Sequence, residues 1–203
     1  MAMMLTLRIN CVIAFVENLL LNTDGFTNMS SVSEGVLLKL IHCCGVLEER
    51  VAEAYKHMAE RSVDSVLKAV LAYVASDSRK HAETLKSVAA ALGAEMSELE
   101  ECRQVAGELW AATMRGVELE LMQTGKLSRE DLASMIDSLT DLESVVMEEY
   151  LMMLQAEAIK ILLEAKPETS CLKMIIEWIA EDEKRHMQIL EALKKELVRN
   201  IRA

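Results

Sequence analysis

The chain has 203 residues, 52% of them apolar, with one Pro, seven Gly and a formal net charge of −11. That length supports one well-buried domain, and the shortage of turn and strand formers points to an all-α fold. The acidic balance, with no basic run and no aromatic-basic interleaving, excludes a nucleic-acid surface, while five Cys without a C-x-x-C pair indicate neither a disulfide framework nor a zinc ribbon or rubredoxin-type module, so a reducing cytoplasm is the expected setting.

Near the amino terminus, "LRINCVIAFVENLLL" is broken by Glu17 and Asn18 and is too short to span a membrane. Three readings of it stay open: an added amphipathic helix, a translation-start artefact with the working chain beginning at Met29, or a secretory signal. The turn-rich "NTDGFTNMSS" follows, so residues 1–31 read as an N-terminal extension and 32–203 as one bundle domain.

The helical period is then easy to follow. In the first long helix Leu37, Ile41, Cys44, Glu48, Val51, Tyr55 and Met58 share one face, and Ser62 and Asp64 offer caps for a tight turn. The second helix carries Leu67, Leu71, Val74, Ser78, His81, Leu85, Val88 and Leu92, and Gly93 ends it. A helix over 97–122, with Leu99, Cys102, Ala106, Leu109 and Thr113 along one side, is long enough to cross a bundle, and Gly125 breaks the chain after it. The next helix has Leu132, Ile136, Leu139, Glu143, Val146, Tyr150 and Met153. The last, after a turn at Pro167, has Leu172, Ile176, Ile179, Glu183, His186, Leu190, Leu193 and Leu197. Such long, narrow stripes suit a four-helix bundle. Trp178 and the Met-rich "MEEYLMML" are expected to fill core and interface, and the latter run offers a homodimer surface.

These stripes contain an internal duplication. At one constant offset Leu37 matches Leu132, Ile41 matches Ile136, Glu48 matches Glu143 and Tyr55 matches Tyr150; "VASDSRKHAETL" likewise aligns without a gap on "IAEDEKRHMQIL". Each half is therefore an antiparallel helix pair, with the middle helix as the crossover. The midpoint of Glu48 and His81 falls near Asp64, and that of Glu143 and His186 near Glu164, so both pairs lie at a common level.

A Glu or His on a core face is costly unless something satisfies it, and five converge here: Glu48, His81, Glu143, Glu183 and His186. Carboxylates with neutral imidazoles form the ligand set that holds iron or manganese in bundle cores, and the i, i+3 spacing of Glu183 and His186 puts both on one face. Without a metal the same five would form a buried proton-sharing network. Asp77 and Asp182 suit the outer imidazole N–H groups, and two-fold symmetry pairs Asp77 with His186 and Asp182 with His81. Tyr55 and Tyr150 read as core tyrosines, with a redox role as the alternative. Cys44 reads as core packing.

The doubled pattern, Glu48 to Tyr55 then Asp77-Ser78-x-x-His81, and Glu143 to Tyr150 then Asp182-Glu183-x-x-His186, resembles the ferritin-like di-iron superfamily, nearest its rubrerythrin branch. The resemblance covers roughly residues 32–200. It implies a four-helix bundle with a carboxylate-bridged pair of iron or manganese ions and chemistry on peroxide or dioxygen. Carried over by position, Glu48 and Glu143 match terminal carboxylates, His81 and His186 the imidazoles, and Glu183 one bridging carboxylate. Ser78 stands where the second bridge is expected. With no C-x-x-C pairs, a reductive cycle would need an external electron donor. The alternative is a non-catalytic bundle with one ion or none.

Overall fold

Asp64 decides where the first hairpin turns. In the computed structural model of the chain, which describes residues 34–94, 98–145 and 170–201, helix α1 (Glu34–Arg61) ends just before it. The Asp64 carboxylate accepts the N–H groups of Val66 and Leu67 at 2.9 and 3.0 Å and so starts α2 (Ser65–Ala91). Helix α2 stops as its glycine requires. Gly93 takes φ +89°, its N–H bonds the carbonyl of Ala90, and the N–H of Ala94 bonds that of Ala89, a Schellman stop that satisfies two terminal carbonyls.

Helix α3 (Leu99–Leu121) runs beside α1 in the same direction. Lys39 pairs with Glu101 and Cys43 is joined to Cys102 near its start, while His57 and Arg61 meet Glu120 near its end. The chain thus returns to the Asp64 end, where Leu127 N–H bonds the Arg61 carbonyl and Arg129 pairs with Asp64. Ser128 and Asp131 cap each other reciprocally there and open α4 (Arg129–Val145). Helix α5 (Ser170–Ile201) packs on α4 and on α2. Every described element is helical, and no strand occurs among the described residues. None of the described helices is long and apolar enough to cross a membrane.

The expected stripes are buried. On α1 these are Ile41, Cys44, Glu48, Val51, Tyr55 and Met58; on α2, Leu67 through Val88 by way of Ser78 and His81; on α5, Ile176 to Leu197 by way of Glu183 and His186. Helix α1 also buries a second row, Leu40, Cys43, Leu47 and Ala54, because it is covered by α3 as well as α2. Gly45 explains how α1 and α2 come so close. A Cβ there would lie 2.9 Å from Lys86 Cγ and 3.0 Å from the Ala82 carbonyl oxygen, so any side chain would push the helices apart one turn from Glu48.

Three expectations are corrected. The middle helix is not one continuous stripe: Gly107 (φ 81°, ψ −171°) breaks it, with Cys102 and Ala106 buried before the break and Trp110, Met114 and Val117 after it, and Leu99 at its start is exposed. Trp178 is exposed on α5 rather than in the core. The chain does contain a disulfide, Cys43–Cys102, because the fold of α3 along α1 brings together two cysteines that are distant in sequence. With it goes the premise for a reducing compartment. The 1–31 extension, Val146, Tyr150, Met153, the "MEEYLMML" run and the Pro167 turn lie outside the described residues, as does the side chain of Glu143.

Candidate metal centre

Three helices deliver polar groups to one buried level. Glu48 comes from α1, Ser78 and His81 from α2, and Glu183 and His186 from α5, and all five are buried among aliphatic side chains. The i, i+3 spacing stacks Ser78 over His81 and Glu183 over His186 on their helices. The two imidazoles face each other, ring centroids 5.8 Å apart and planes inclined by 28°.

The outer edge of each imidazole is held by the opposite helix. His81 Nε2 lies 3.1 Å from Asp182 Oδ2, and His186 Nε2 lies 3.4 Å from Asp77 Oδ2, the crosswise pairing that the duplication predicts. Lys80 sits between the two carboxylates, 3.0 Å from Asp77 and 3.3 Å from Asp182, and Arg185 also pairs with Asp182. Burial would raise the Asp77 carboxyl, but hydrogen bonds from Lys80, Tyr73 and His186 outweigh it and hold the group down at about 2. Both carboxylates are then positioned as acceptors, which fixes the imidazole proton on Nε2 and turns the Nδ1 lone pair inward.

Inside, Glu183 spans the two imidazoles. Its Oε1 lies 2.8 Å from His81 Nδ1, and its Oε2 lies 3.3 Å from His186 Nδ1. Burial, against the opposing pull of Glu48, pushes His81 down to about 4, so it is neutral near pH 7. A neutral imidazole has one N–H, and Asp182 takes it. The Nδ1 contact with Glu183 accordingly lacks hydrogen-bond geometry: a lone pair faces a carboxylate oxygen. A cation between the two atoms, or a proton shared by them, accounts for so close an approach. Ligands of one ion at about 2.1 Å, roughly 90° apart, stand about 3 Å from each other, which matches this spacing. Glu48, His81 and Glu183 each offer one such atom, all within 4.8 Å of one another, so the group can hold a metal ion.

Sequence reasoning missed several neighbours. Tyr73, partly exposed on α2, lays its ring edge-on to His186 with centroids 6.2 Å apart and hydrogen-bonds Asp77 through its hydroxyl. The signal was present: Tyr73 stands one turn before Asp77, and Trp178 holds the same place in the second copy. Lys80 was legible only as a conserved basic letter of the repeat, its straddling position being a product of the helix approach. His42 is buried on α1 and had no counterpart in the duplication to single it out. Tyr55 is fully buried and Cys44 is a buried free thiol that burial and the nearby Glu48 push further up, so both sit in the core as read, with Cys44 neutral. Comparison of the chain with protein-family models, with curated proteins and with solved structures returns no match.

Proposed function

We propose that the protein is a metal-binding helical bundle of the ferritin-like type, in which Glu48, His81, Glu143, Glu183 and His186 hold iron or manganese and the ions serve an oxidoreductase reaction on peroxide or dioxygen. The observation that carries the reading is the 2.8 Å approach of His81 Nδ1 to Glu183 Oε1, made without hydrogen-bond geometry beside buried Glu48. The duplicated helix pairs, with α3 as the crossover between them, fit the same architecture. Bound iron or manganese would supply one-electron redox chemistry.

The chain's own residues do the rest. Asp77 and Asp182 orient the imidazoles, Glu183 spans them, and the aliphatic side chains above and below exclude bulk water. Electrons would come from an external donor, since the sequence has no thiolate module of its own.

A second reading, a non-catalytic bundle with a single ion or none, is favoured by one observation: Ser78 replaces a carboxylate at the position that matches Glu183. Elemental analysis separates the two after reconstitution with ferrous iron or manganese. Two ions per chain support the first, and one supports the second. Equal, near-zero metal in the wild type and in a His81→Ala/His186→Ala variant would overturn the first reading and leave the second in its metal-free form, with the buried groups as a proton-sharing network.

A further inference from the structure

Ser78 differs from two other helical hydroxyls of this fold, Thr84 and Thr140. A hydroxyl on a helix normally bonds the carbonyl four residues back. Thr84 does so to Lys80 at 2.7 Å, and Thr140 does so to Ile136 at 2.9 Å. Ser78 is completely buried, yet its Oγ has no hydrogen-bond partner among the described residues. Leaving a buried hydroxyl unpaired is destabilising, and its own helix offers a remedy that is not taken.

The surroundings say what would satisfy it. Ser78 stands one turn from His81 on the same face of α2, and it is the counterpart in the repeat of Glu183, which reaches both imidazoles from α5. From that position a glutamate would extend into the centre; serine ends two carbons short and contributes no charge. On the metal reading, with Glu143 joining Glu48 and Glu183, the carboxylates would supply three negative charges, whereas two divalent ions carry four positive ones. A small monoanion closes that difference, and a hydroxyl is a hydrogen-bond donor for it.

We propose that Ser78 forms the binding subsite for a small exogenous anion at the metal centre, donating its hydroxyl hydrogen to that ligand. This rests on the metal reading of the site. The ligand class is a monoanion of two or three atoms with a lone pair free to accept, for which azide is the probe. Neutral apolar molecules and bulky anions are excluded by the buried position of the hydroxyl.

The test uses the full-length, iron-loaded protein, with metal content and azide affinity measured side by side by elemental analysis and by optical titration. Ser78→Ala removes a buried unpaired hydroxyl, so without added anion it should melt no lower than the wild type and keep its metal content. Loss of one hydrogen bond worth about 1 kcal/mol should weaken azide binding about fivefold. Ser78→Glu should raise metal content and abolish azide binding, because the new carboxylate takes the anion's place. Unchanged azide affinity in Ser78→Ala, with metal bound normally, overturns the subsite and leaves the metal reading standing. A wild type that takes up no metal overturns both.

Discussion

Asp182 Oδ2 on α5 lies 3.1 Å from His81 Nε2 on α2, so the residue that orients this imidazole belongs to the other half of the duplication. Asp77 returns the arrangement to His186. Neither half of the repeat can orient its own histidine. The group is complete only when α2 and α5 pack together, so the proposed metal binding should depend on the tertiary contact rather than on either motif.

Asp182→Asn tests this coupling. The amide keeps the shape of the carboxylate but loses the charge that fixes the proton on Nε2. Changes of this kind at a group behind a ligating histidine typically cost 10–100-fold in metal affinity. We expect about that loss in iron or manganese binding, with little change in the circular-dichroism spectrum. Asp77→Asn should act in the same direction through His186. Wild-type affinity in both would mean that the imidazoles are held by packing alone.

The duplication made much of this centre legible. Residue spacing alone placed Glu48, His81, Glu183 and His186 on core faces at one level, since a helix buries what recurs every three to four residues. The crosswise aspartates followed from symmetry. What stayed hidden depends on how whole helices lie against one another. Cys43 and Cys102 meet only because α3 runs along α1, and Trp110 donates its indole N–H to the Cys43 carbonyl at 3.0 Å for the same reason. Gly107 could have warned of the break in α3, because a glycine inside a helical pattern frees the backbone to leave it. Tyr73 was passed over because it lies off the buried stripe, although its match with Trp178 in the repeat marked it.

The disulfide should be a large stabilising element. Its cysteines are 59 residues apart, and closing a loop of that length restricts the unfolded chain by up to about 4 kcal/mol in the entropic account. A Cys43→Ser/Cys102→Ser variant should lose about 2–4 kcal/mol in urea denaturation. A non-reducing peptide map of the wild type should contain the Cys43–Cys102 cross-link. Equal stability of the wild type with and without reductant, once the cross-link is confirmed, would show that packing of α1 on α3 suffices.

Close approach of α1 and α2 rests on Gly45. In an exposed helix Gly→Ala gains about 1 kcal/mol, as expected for Gly116, where an added Cβ meets nothing within 4 Å. At Gly45 the new methyl would press on the Ala82 carbonyl at 3.0 Å and the Lys86 nitrogen at 3.2 Å, both backbone atoms. Overpacking of this kind costs about 1–3 kcal/mol and exceeds the propensity gain. Gly45→Ala should therefore lower the melting temperature where Gly116→Ala raises it. Because the clash lies beside His81, Gly45→Ala should also weaken metal binding. A stabilised Gly45→Ala would mean the helices can separate at no cost.

Asp64 is the point at which two helices are fastened. It caps α2 through the N–H groups of Val66 and Leu67 and receives Arg129 from the start of α4. Those partners, with the Leu67 N–H first and Arg129 next, hold its carboxyl below the usual carboxylate range. An unfolded chain releases this proton near pH 3.9. Since the folded value is lower, the stability that Asp64 contributes is fully present above about pH 4 and is lost as pH falls through the folded value. Asp64→Ala should cost about 1 kcal/mol at pH 7, the worth of a helix cap. Asp64→Asn keeps an oxygen for Val66 and Leu67 but not the charge for Arg129, so it should fall between the two. The wild-type and Asp64→Asn curves should converge in strong acid, where the wild-type carboxylate is protonated as well, while Asp64→Ala stays below both. A gap between wild type and Asp64→Asn that persists at low pH would place the contribution in shape rather than charge.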